Sequence, residues 1–531
     1  MQQQTKGSTF ALFFERWFIE LYKVLRGRFR RADTHSGKET ATARQSTVNH
    51  RQTGNSGISM KKYIYSLLLF SASIFHAYAE DSIVVSQADI KALTERIERL
   101  EQAQPQSATS QETSTHIQSG KSQRPHRLTI GGYGEATMKR CFYSNNYLRY
   151  TSPEKYKNDQ YGEFDLPHVV IYMGYDFGRG WSMGTEIEFE HGGTEAAVEI
   201  EDEEGGEYET EVERGGEVAL EQFWLQKSFN RYANIRAGML IVPLGGTNAH
   251  HEPDQFFGVY RPEGDNTILP CTWHDIGIQF HGRYKWLGYT AQFLPGLESS
   301  LFGSKNWIHY GSASAYEFKL ANCYAGLARL DFYPLNHQGS DALRLSVSGY
   351  AGTSFRNNLQ PTNNTKYEGV RGLVSLGAFD WRYKGHGVIF RGSAIYGHLN
   401  DADKITAYNK SMPKTSVSKR QNVASDAYSV GAEIGYDFFS LNKTLRDKQQ
   451  QFYLFARYDI YDAQAKINAS RNYWAGRQKV SCGFNYFPIP QIVVKGEFGY
   501  GILNQNPHSE TNYNNEPYIA LSINYSGFFE L

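Results

Sequence analysis

Beyond residue 126, apolar and polar residues alternate along one segment after another. In 489–500, for example, Ile492 and Val494 alternate with Lys495 and Glu497. An alternation with a period of two is typical of a β-strand with one apolar face. The connections between these segments are long and short in turn, as in antiparallel barrels that cross an outer membrane.

Sixteen segments have this pattern, so the sequence predicts an all-β transmembrane barrel of sixteen antiparallel strands over residues 127–531. Sixteen strands enclose a water-filled space, whereas smaller barrels are filled by their own side chains. The predicted strands are 127–142, 163–177, 180–191, 217–229, 233–242, 273–285, 286–295, 321–334, 342–353, 370–382, 386–397, 427–438, 449–460, 475–487, 489–500 and 515–526.

The composition agrees with a barrel in a membrane. Aromatic residues make up 15% of the chain, with 37 Tyr, and there are 50 Gly. No uninterrupted apolar run after residue 79 is long enough for a membrane helix, which excludes a helical membrane protein. Tyr and Trp form belts where a barrel meets the membrane interfaces. We therefore expect a location in the outer membrane of a Gram-negative bacterium, in contact with lipid and lipopolysaccharide.

The amino end contains a signal-peptide pattern that starts inside the chain. Lys61 and Lys62 follow Met60, an apolar run covers 64–75, and Ala77 and Ala79 form a small-x-small cleavage site. Residues 60–79 are therefore predicted to be a signal peptide, cleaved before Glu80. Residues 1–59 are interpreted as an upstream extension of the reading frame, and the alternative is a genuine cytosolic extension.

Residues 80–104 are predicted to form a short periplasmic coiled coil. Ile83, Ile90, Leu93, Ile97 and Leu100 occupy the a and d positions of successive heptads. So short a helix is marginal alone, and we expect oligomerisation to stabilise it. The alternative is a solvated helix without a partner. Residues 105–126, rich in Gln, Ser and Thr, are predicted to be a flexible linker.

The phase of the alternation assigns each charged residue of a strand to the lipid face or to the lumen. The inward acids are predicted on the first three strands, at Glu135, Glu186, Glu188 and Glu190. The inward, pore-lining bases are predicted to be Lys139, Arg236, Arg283, Arg329, Arg344, Arg391, Arg457, Arg477, Lys479 and Lys495. The lumen is thus expected to have an acidic wall and a basic wall. The alternative is that these charges only solvate and pair across the barrel.

A strongly acidic stretch covers 195–217, where Arg214 is the single base. We interpret it as a solvated outer loop. The alternative is that the carboxylates of the acidic run 201–213 collect Ca²⁺ or the cations that bridge lipopolysaccharide, since hard cations take several carboxylate ligands.

Residues 243–272 separate two predicted strands and combine prolines, aromatic residues, glycines and charges. A surface connector rarely needs such a composition. We expect this loop to fold inward and narrow the pore, with His250, His251, Glu252 and Arg261 at the constriction. Neither a metal site nor a cofactor is predicted, because the adjacent histidines of an extended chain point in opposite directions and no further ligand follows at suitable spacing.

The residues around this loop resemble a known family. ArgAlaGlyMetLeuIleValProLeuGly (236–245) is followed by HisGluPro (251–253), ArgPro (261–262) and ProCysThrTrpHisAspIleGly (270–277). This order resembles the phosphate-selective porin O and P family of Bacteroides-like bacteria. The resemblance covers 127–531 and implies a trimeric, sixteen-stranded porin with an inward third loop. It also implies small anions, phosphate among them, as solutes. Ile at a and Leu at d of the coiled coil favour a dimer instead, so the homotrimer is expected from the resemblance alone.

Two classes of function remain open. The first is a porin for passive diffusion of small solutes, and the second is a structural or adhesive barrel whose long outer loops bind partners. No motif such as GxSxG occurs, so no enzymatic activity is predicted, and no nucleic-acid partner is expected. The four cysteines, Cys141, Cys271, Cys323 and Cys482, allow three pairings, none of which is favoured.

Overall fold

A computed structural model describes residues 127–192, 196–202, 208–214, 217–313, 318–336, 342–357, 365–507 and 513–530. The predicted upstream extension (1–59), signal peptide with Ala77 and Ala79 (60–79), coiled coil (80–104) and linker (105–126) lie outside the described residues. The predictions for them stay predictions.

The described chain forms a closed antiparallel barrel. Its strands are β1 (Arg127–Cys141), β2 (Tyr161–Asp165), β3 (His168–Gly178), β4 (Trp181–Glu190), β5 (Ala196–Asp202), β6 (Tyr208–Arg214), β7 (Glu217–Asn230), β8 (Ala233–Ile241), β9 (His274–Tyr284), β10 (Leu287–Pro295), β11 (Tyr324–Phe332), β12 (Leu343–Thr353), β13 (Leu373–Gly385), β14 (Val388–Leu399), β15 (Asp426–Asp437), β16 (Gln451–Lys466), β17 (Gly476–Ile489), β18 (Ile492–Leu503) and β19 (Asn515–Glu530). The sheet closes because β1 pairs with β19 on one edge and with β2 and β3 on the other.

The barrel has sixteen strand positions, as predicted. Strands β2 and β3 share one position, because β2 pairs with Thr137–Cys141 of β1 and β3 pairs with Arg127–Gly134. The prediction of one unbroken strand over 163–177 was wrong at this point. The break falls at Leu166 and Pro167, and proline cannot donate a hydrogen bond to the ladder.

The described parts of the acidic stretch 195–217 contain secondary structure that was not predicted. Its backbone forms a separate two-stranded hairpin of β5 and β6, outside the barrel sheet. A solvated loop was predicted, but the stretch alternates Val198 and Ile200 with acids, which is a strand pattern as well.

The helices of the described residues all lie in connections between strands. They are α1 (Pro153–Tyr156), α2 (Gly245–Ala249), α3 (Glu263–Ile268), α4 (Ala402–Ser411) and α5 (Lys443–Asp447), and short 3-10 helices cover Tyr147–Tyr150, Pro253–Gln255, Ser299–Leu301, His309–Ser312, Thr365–Tyr367, Phe438–Leu441 and Tyr473–Ala475. None of the helices within the described ranges has the length and apolar character needed to cross a membrane. Tight turns join other pairs of strands. In one of them His386 and Gly387 have φ angles of 52° and 76°, as in the type I′ turn of a two-residue hairpin.

The barrel wall has its apolar side chains on the outer face and its polar side chains on the inner face, the reverse of a water-soluble β-protein. On β19, Leu521 and Ile523 are 51% and 56% exposed, whereas Ser522 and Asn524 between them are buried. An apolar outer surface and a polar inner one are what a barrel surrounded by lipid requires, because only the outer face meets hydrocarbon.

Part of the interior is apolar, however. A cluster of buried side chains joins Leu244, Leu269 and Trp273 of the 242–273 connection to Trp307 and Tyr408 of later connections. The Trp307 indole is fully buried and donates a hydrogen bond to the carbonyl oxygen of Ala424 at 3.0 Å. These connections fold into the barrel, so the lumen is narrower than an open sixteen-stranded cylinder.

Candidate functional site: the constriction loop and the charged lumen

The connection 242–273, called the constriction loop below, crosses the interior of the barrel. It leaves the wall at β8 and returns at β9, which are the fifth and sixth of the sixteen positions. Its middle part contacts β16, β17 and β18, at positions thirteen to fifteen. Strands eight positions apart face each other across the barrel, so the loop spans the lumen from wall to wall.

Lys495 of β18 holds the far end of the constriction loop. Its ammonium is fully buried and donates to the backbone carbonyls of Pro253, Phe256 and Gly258 at 2.5, 3.0 and 2.8 Å. An ammonium has three donors, and here three acceptors satisfy them. Lys495 therefore supports the loop instead of presenting a free charge to the lumen.

Carboxylates on the wall bind the backbone of the same loop segment. The N–H of Phe257 donates to Glu433 Oε1 at 3.1 Å, and the N–H of Val259 donates to Glu497 Oε2 at 2.7 Å. The Phe257 ring lies over Gly435, where an added Cβ would come within 2.3 Å of a ring carbon. Only glycine on the wall leaves room for the ring at this distance.

The helix α3 attaches the returning part of the loop to the wall. Asp265 accepts hydrogen bonds from the hydroxyls of Thr247, Ser393 and Ser429 at 2.8, 2.6 and 2.7 Å. Glu263 lies 3.2 Å from Lys479 Nζ. Burial alone would raise the pKa of Glu263, but Lys479, Arg477 and a hydrogen bond from Tyr461 lower it to about 2. Glu263 is therefore ionised at neutral pH.

Four arginines surround a small cavity between the constriction loop and the wall. Arg344, Arg382, Arg391 and Arg457 line this cavity of about 60 Å³, together with His250. We call it the arginine cavity.

Part of the hydrogen-bonding capacity in the arginine cavity is unused. Arg391 and Arg457 share Glu433, and Arg344 Nη2 lies 3.5 Å from Asp380. Yet Arg344 Nε and Arg391 Nη1 are buried without a hydrogen-bond partner. Burial and the nearby arginines lower the pKa of His250 well below its ordinary value, so its imidazole is neutral. The cavity thus presents cationic donors to whatever enters it.

The remaining predicted bases also lie on the inward faces of their strands, and most have partners. Arg329 is buried, pairs with Asp331 and Asp380 at 2.9 Å each, and donates to the carbonyl of Gly245 at 3.0 Å. The other contacts are Arg477 to Glu516 at 2.9 Å, Lys479 to Glu497 at 3.8 Å, Lys139 to Glu163 at 3.4 Å, Arg236 over the Trp224 ring at 3.9 Å and Arg283 over the Tyr333 ring at 3.8 Å. Pairing of the inward charges with one another, which the sequence left open as an alternative to a free basic wall, is therefore extensive.

Arg261 lies apart from the other arginines. It is buried, and its Nε and Nη2 atoms have no hydrogen-bond partner. Burial alone would lower its pKa, but its electrostatic interactions with Tyr133, Cys271, Glu188 and Glu221 raise it. The structure therefore places Arg261 against the acidic wall and does not bring it together with the arginine cavity.

The acidic wall contains more groups than the sequence indicated. Glu135, Glu186 and Glu188 are buried, and His168 Nδ1 lies 2.8 Å from Glu188. Glu221 of β7, which was not predicted, is fully buried beside them. A β-bulge shifts the register between β4 and β7 at this point and changes which face each residue occupies. The sequence contains a signal for this bulge. The outward residues Leu220 and Phe223 are three positions apart, whereas a regular strand would place outward residues two positions apart.

The constriction loop separates its two histidines. His250 lines the arginine cavity, whereas His251 Nε2 lies 3.4 Å from Glu221 Oε1 on the acidic wall. Glu252 begins the turn to Pro253–Gln255, and its carbonyl accepts from the N–H of Gln255 at 2.9 Å. All four cysteines are free, with Cys141 and Cys323 buried.

A closed sixteen-stranded sheet with an apolar outside, a charged inside and a loop across the lumen defines a membrane barrel of the porin type. No protein-family model matches the chain. An uncharacterized protein of Aquifex aeolicus (strain VF5) is 28% identical over 388 residues, which are 70% of this chain and 75% of that protein.

Solved structures of outer-membrane proteins are similar at low identity. The anion-selective porin from Comamonas acidovorans is 9% identical, with a TM-score of 0.44 over 76% of this chain and 100% of that one. The outer membrane channel DcaP of Acinetobacter baumannii is 12% identical, with a TM-score of 0.42 over 77% of this chain and 99% of that one. Membership of the phosphate-selective porin O and P family stays a prediction.

Proposed function

We propose that this protein is an outer-membrane channel for passive diffusion of small solutes, and that the arginine cavity gives it a preference for anions such as phosphate. The observation that carries the anion preference is the pair of buried guanidinium N–H groups, on Arg344 and Arg391, that lack a partner. A buried donor without an acceptor is costly, so an anion that enters is stabilised there. The planar fork of arginine also matches phosphate and carboxylate oxygens.

The first experiment is a reversal-potential measurement across a bilayer in a KCl gradient. The wild type should prefer chloride, and Arg391→Gln should shift the reversal potential toward zero because it removes a cavity donor while Arg457 still neutralises Glu433. Arg283→Gln is the matched control, since Arg283 is stacked on Tyr333 and does not line the cavity. Cation preference in the wild type would reject the anion assignment.

The apolar cluster inside the barrel supports a second candidate, a structural or adhesive barrel. Trp273, Trp307 and Tyr408 occupy interior space that a wide channel would leave to water. Such a barrel would bind partners through its outer loops and conduct no ions. Purified protein that inserts into bilayers without any single-channel conductance would favour this second function.

We also propose that the mature chain starts near Glu80 and assembles as a homotrimer in contact with lipid and lipopolysaccharide. Exposed apolar residues such as Ile171 and Ile278, 50% and 55% exposed, supply the surface for lipid or for a neighbouring copy. The mass of the protein purified from outer membranes should equal that of residues 80–531. Its mobility in native electrophoresis should correspond to an assembly of three chains. Peptides from 11–51 in that material would contradict the first expectation, and a monomer would contradict the second.

A further inference from the structure

Three ligand-type side chains meet where the constriction loop contacts the acidic wall. Glu186 comes from β4, Glu221 from β7 and His251 from the loop, and one potential ligand atom of each lies within 4.8 Å of the others. All three residues are buried, with 2%, 0% and 8% of their surfaces exposed. Two carboxylates and one imidazole are a common donor set for first-row transition metals.

The orientation of His251 is an independent observation that points to a bound ion. Its Nδ1 lies 3.4 Å from the carbonyl oxygen of Asn248, which only accepts, so Nδ1 carries the proton and Nε2 keeps its lone pair. Nε2 faces Glu221 Oε1 at 3.4 Å, and neither atom has a hydrogen-bond partner. Two buried acceptors aimed at each other are unfavourable unless a proton or a metal ion lies between them.

The other polar atoms of the cluster are held in place. Glu221 Oε2 is 3.4 Å from the hydroxyl of Tyr133, and Glu186 Oε2 accepts from the side-chain amide of Gln222. The Tyr133 ring contacts the His251 ring edge to face, with centroids 6.1 Å apart. Metal ligands in proteins are typically oriented by such outer hydrogen bonds.

We propose that Glu186, Glu221 and His251 bind one divalent first-row transition metal ion, with Zn²⁺ as the probe. Zinc lies about 2.0–2.2 Å from nitrogen and oxygen ligands, so two ligand atoms of a tetrahedral site are roughly 3.3–3.6 Å apart. The Nε2 to Oε1 separation of 3.4 Å matches this edge. The ligand atom of Glu186 lies within 4.8 Å of both.

The surrounding charges favour a divalent cation. Glu188 and Glu252 add two carboxylates near the cluster, and Arg236 and Arg261 add two guanidinium groups. Four carboxyl groups thus surround two guanidinium groups here, and a divalent ion that displaces protons from the buried carboxyls would offset this surplus of acids. The ion would tie the loop to β4 and β7, independently of the anion preference proposed above.

The site is distinct from a neighbouring cluster of His168, Glu188 and Glu190. There His168 Nδ1 already contacts Glu188 at 2.8 Å, so its ring is engaged. His168→Gln therefore provides a matched control, because it removes an imidazole from the same wall and leaves the proposed ligands intact.

Isothermal titration of Zn²⁺ into chelator-treated, detergent-purified protein tests the proposal. We expect one Zn²⁺ per chain for the wild type and for His168→Gln. Binding should weaken by at least roughly a hundredfold in Glu221→Gln and in His251→Phe, because loss of an outer-shell partner alone costs about 10–100-fold and these variants remove direct ligands. Heat-modifiable electrophoretic mobility checks that each variant is folded. No Zn²⁺ binding by the wild type, or a loss in His168→Gln equal to that in Glu221→Gln, would overturn the assignment.

Cobalt gives a second measurement on the unmodified protein, in case a variant does not fold. Co²⁺ in place of Zn²⁺ should produce the intense visible absorption of a four-coordinate site, since coordination geometry is diagnostic of the ligand set. Zinc added afterwards should abolish that absorption. A weak, octahedral Co²⁺ spectrum would mean binding at scattered surface carboxylates and would reject the site.

Discussion

At the scale of single residues, Lys495 is a charged residue that stabilises a loop inside the barrel. The alternation of apolar and polar residues along β18 predicts that the Lys495 side chain points inward, and in the structure it is buried on the inner face. Its ammonium also lies 4.2 Å from the centroid of the Phe256 ring. Because the carbonyls that Lys495 binds belong to a turn without a hydrogen-bonded ladder, they need this donor when they are buried.

We expect Lys495→Met to loosen the constriction loop. Removing the ammonium leaves the carbonyls of Pro253, Phe256 and Gly258 without their donor, and a loss of about 3 kcal/mol of stability follows from typical costs of such groups. Two measurements check this. The midpoint of thermal unfolding in detergent should fall, and the current noise of the open channel should rise. Lys139→Met, whose partner is the more exposed Glu163, is the control. Equal effects of the two substitutions would contradict this role.

At the scale of elements, the constriction loop is held by several short attachments and by no long helix. The helix α3 has six residues, too few to be stable alone. Its position depends on Asp265, which binds three hydroxyls, and on Glu263, which faces Lys479 and Arg477. An element of this kind is stable only as long as its side-chain contacts with the wall remain.

The contact of Glu263 predicts a response to acid. The pKa of this carboxyl is lowered to about 2, so its contribution to loop attachment is complete above pH 4.5 and is lost as the pH falls from 4.5 toward 2. We expect wild-type conductance to be insensitive to this group between pH 5 and pH 8 and to increase below about pH 3.

The matched variant is Glu263→Gln, which keeps the shape and removes the charge. It should show the higher conductance already at neutral pH, without the further step in acid. Single-channel recordings between pH 7 and pH 2 make the comparison. An identical acid step in both proteins would assign the response to another carboxylate.

At the scale of the whole molecule, the barrel is a rigid frame whose interior is filled unevenly. One side of the lumen contains the apolar cluster around Trp273 and Trp307, and another contains paired charges such as Arg457 with Asp459. The constriction loop contacts both. The width of the remaining path therefore depends on the loops inside the barrel more than on the number of strands.

Deleting residues 250–264 should widen the channel. The barrel wall closes through β1 and β19 without the loop, so the variant should still fold and shift on heating in electrophoresis. Single-channel conductance should rise severalfold. Deletion of α5, whose residues are not buried and lie outside the lumen contacts described above, should leave conductance unchanged. Unchanged conductance after the loop deletion would place the narrowest point elsewhere.

Local properties of the sequence determined the frame of this protein. Strand alternation depends only on neighbouring residues, so the sixteen strand positions and the inward faces of Lys495, Glu497 and Arg457 could be predicted. The inward course of the connection between β8 and β9 could be predicted too, because a run of prolines, aromatic residues and charges is unusual for a surface turn, whereas its narrowing of the pore stays a prediction. The break at Pro167 could have been predicted from the missing N–H.

Contacts between distant segments decided the rest. The pairing of Arg329 with Asp380, the position of Arg261 on the acidic wall and the three carbonyls bound by Lys495 join residues far apart in the chain. The inward turn of Glu221 results from a bulge in the register between two strands. A periodic pattern states which face a side chain occupies, but its partners depend on barrel closure and on the path of the loop, and only the tertiary structure determines these.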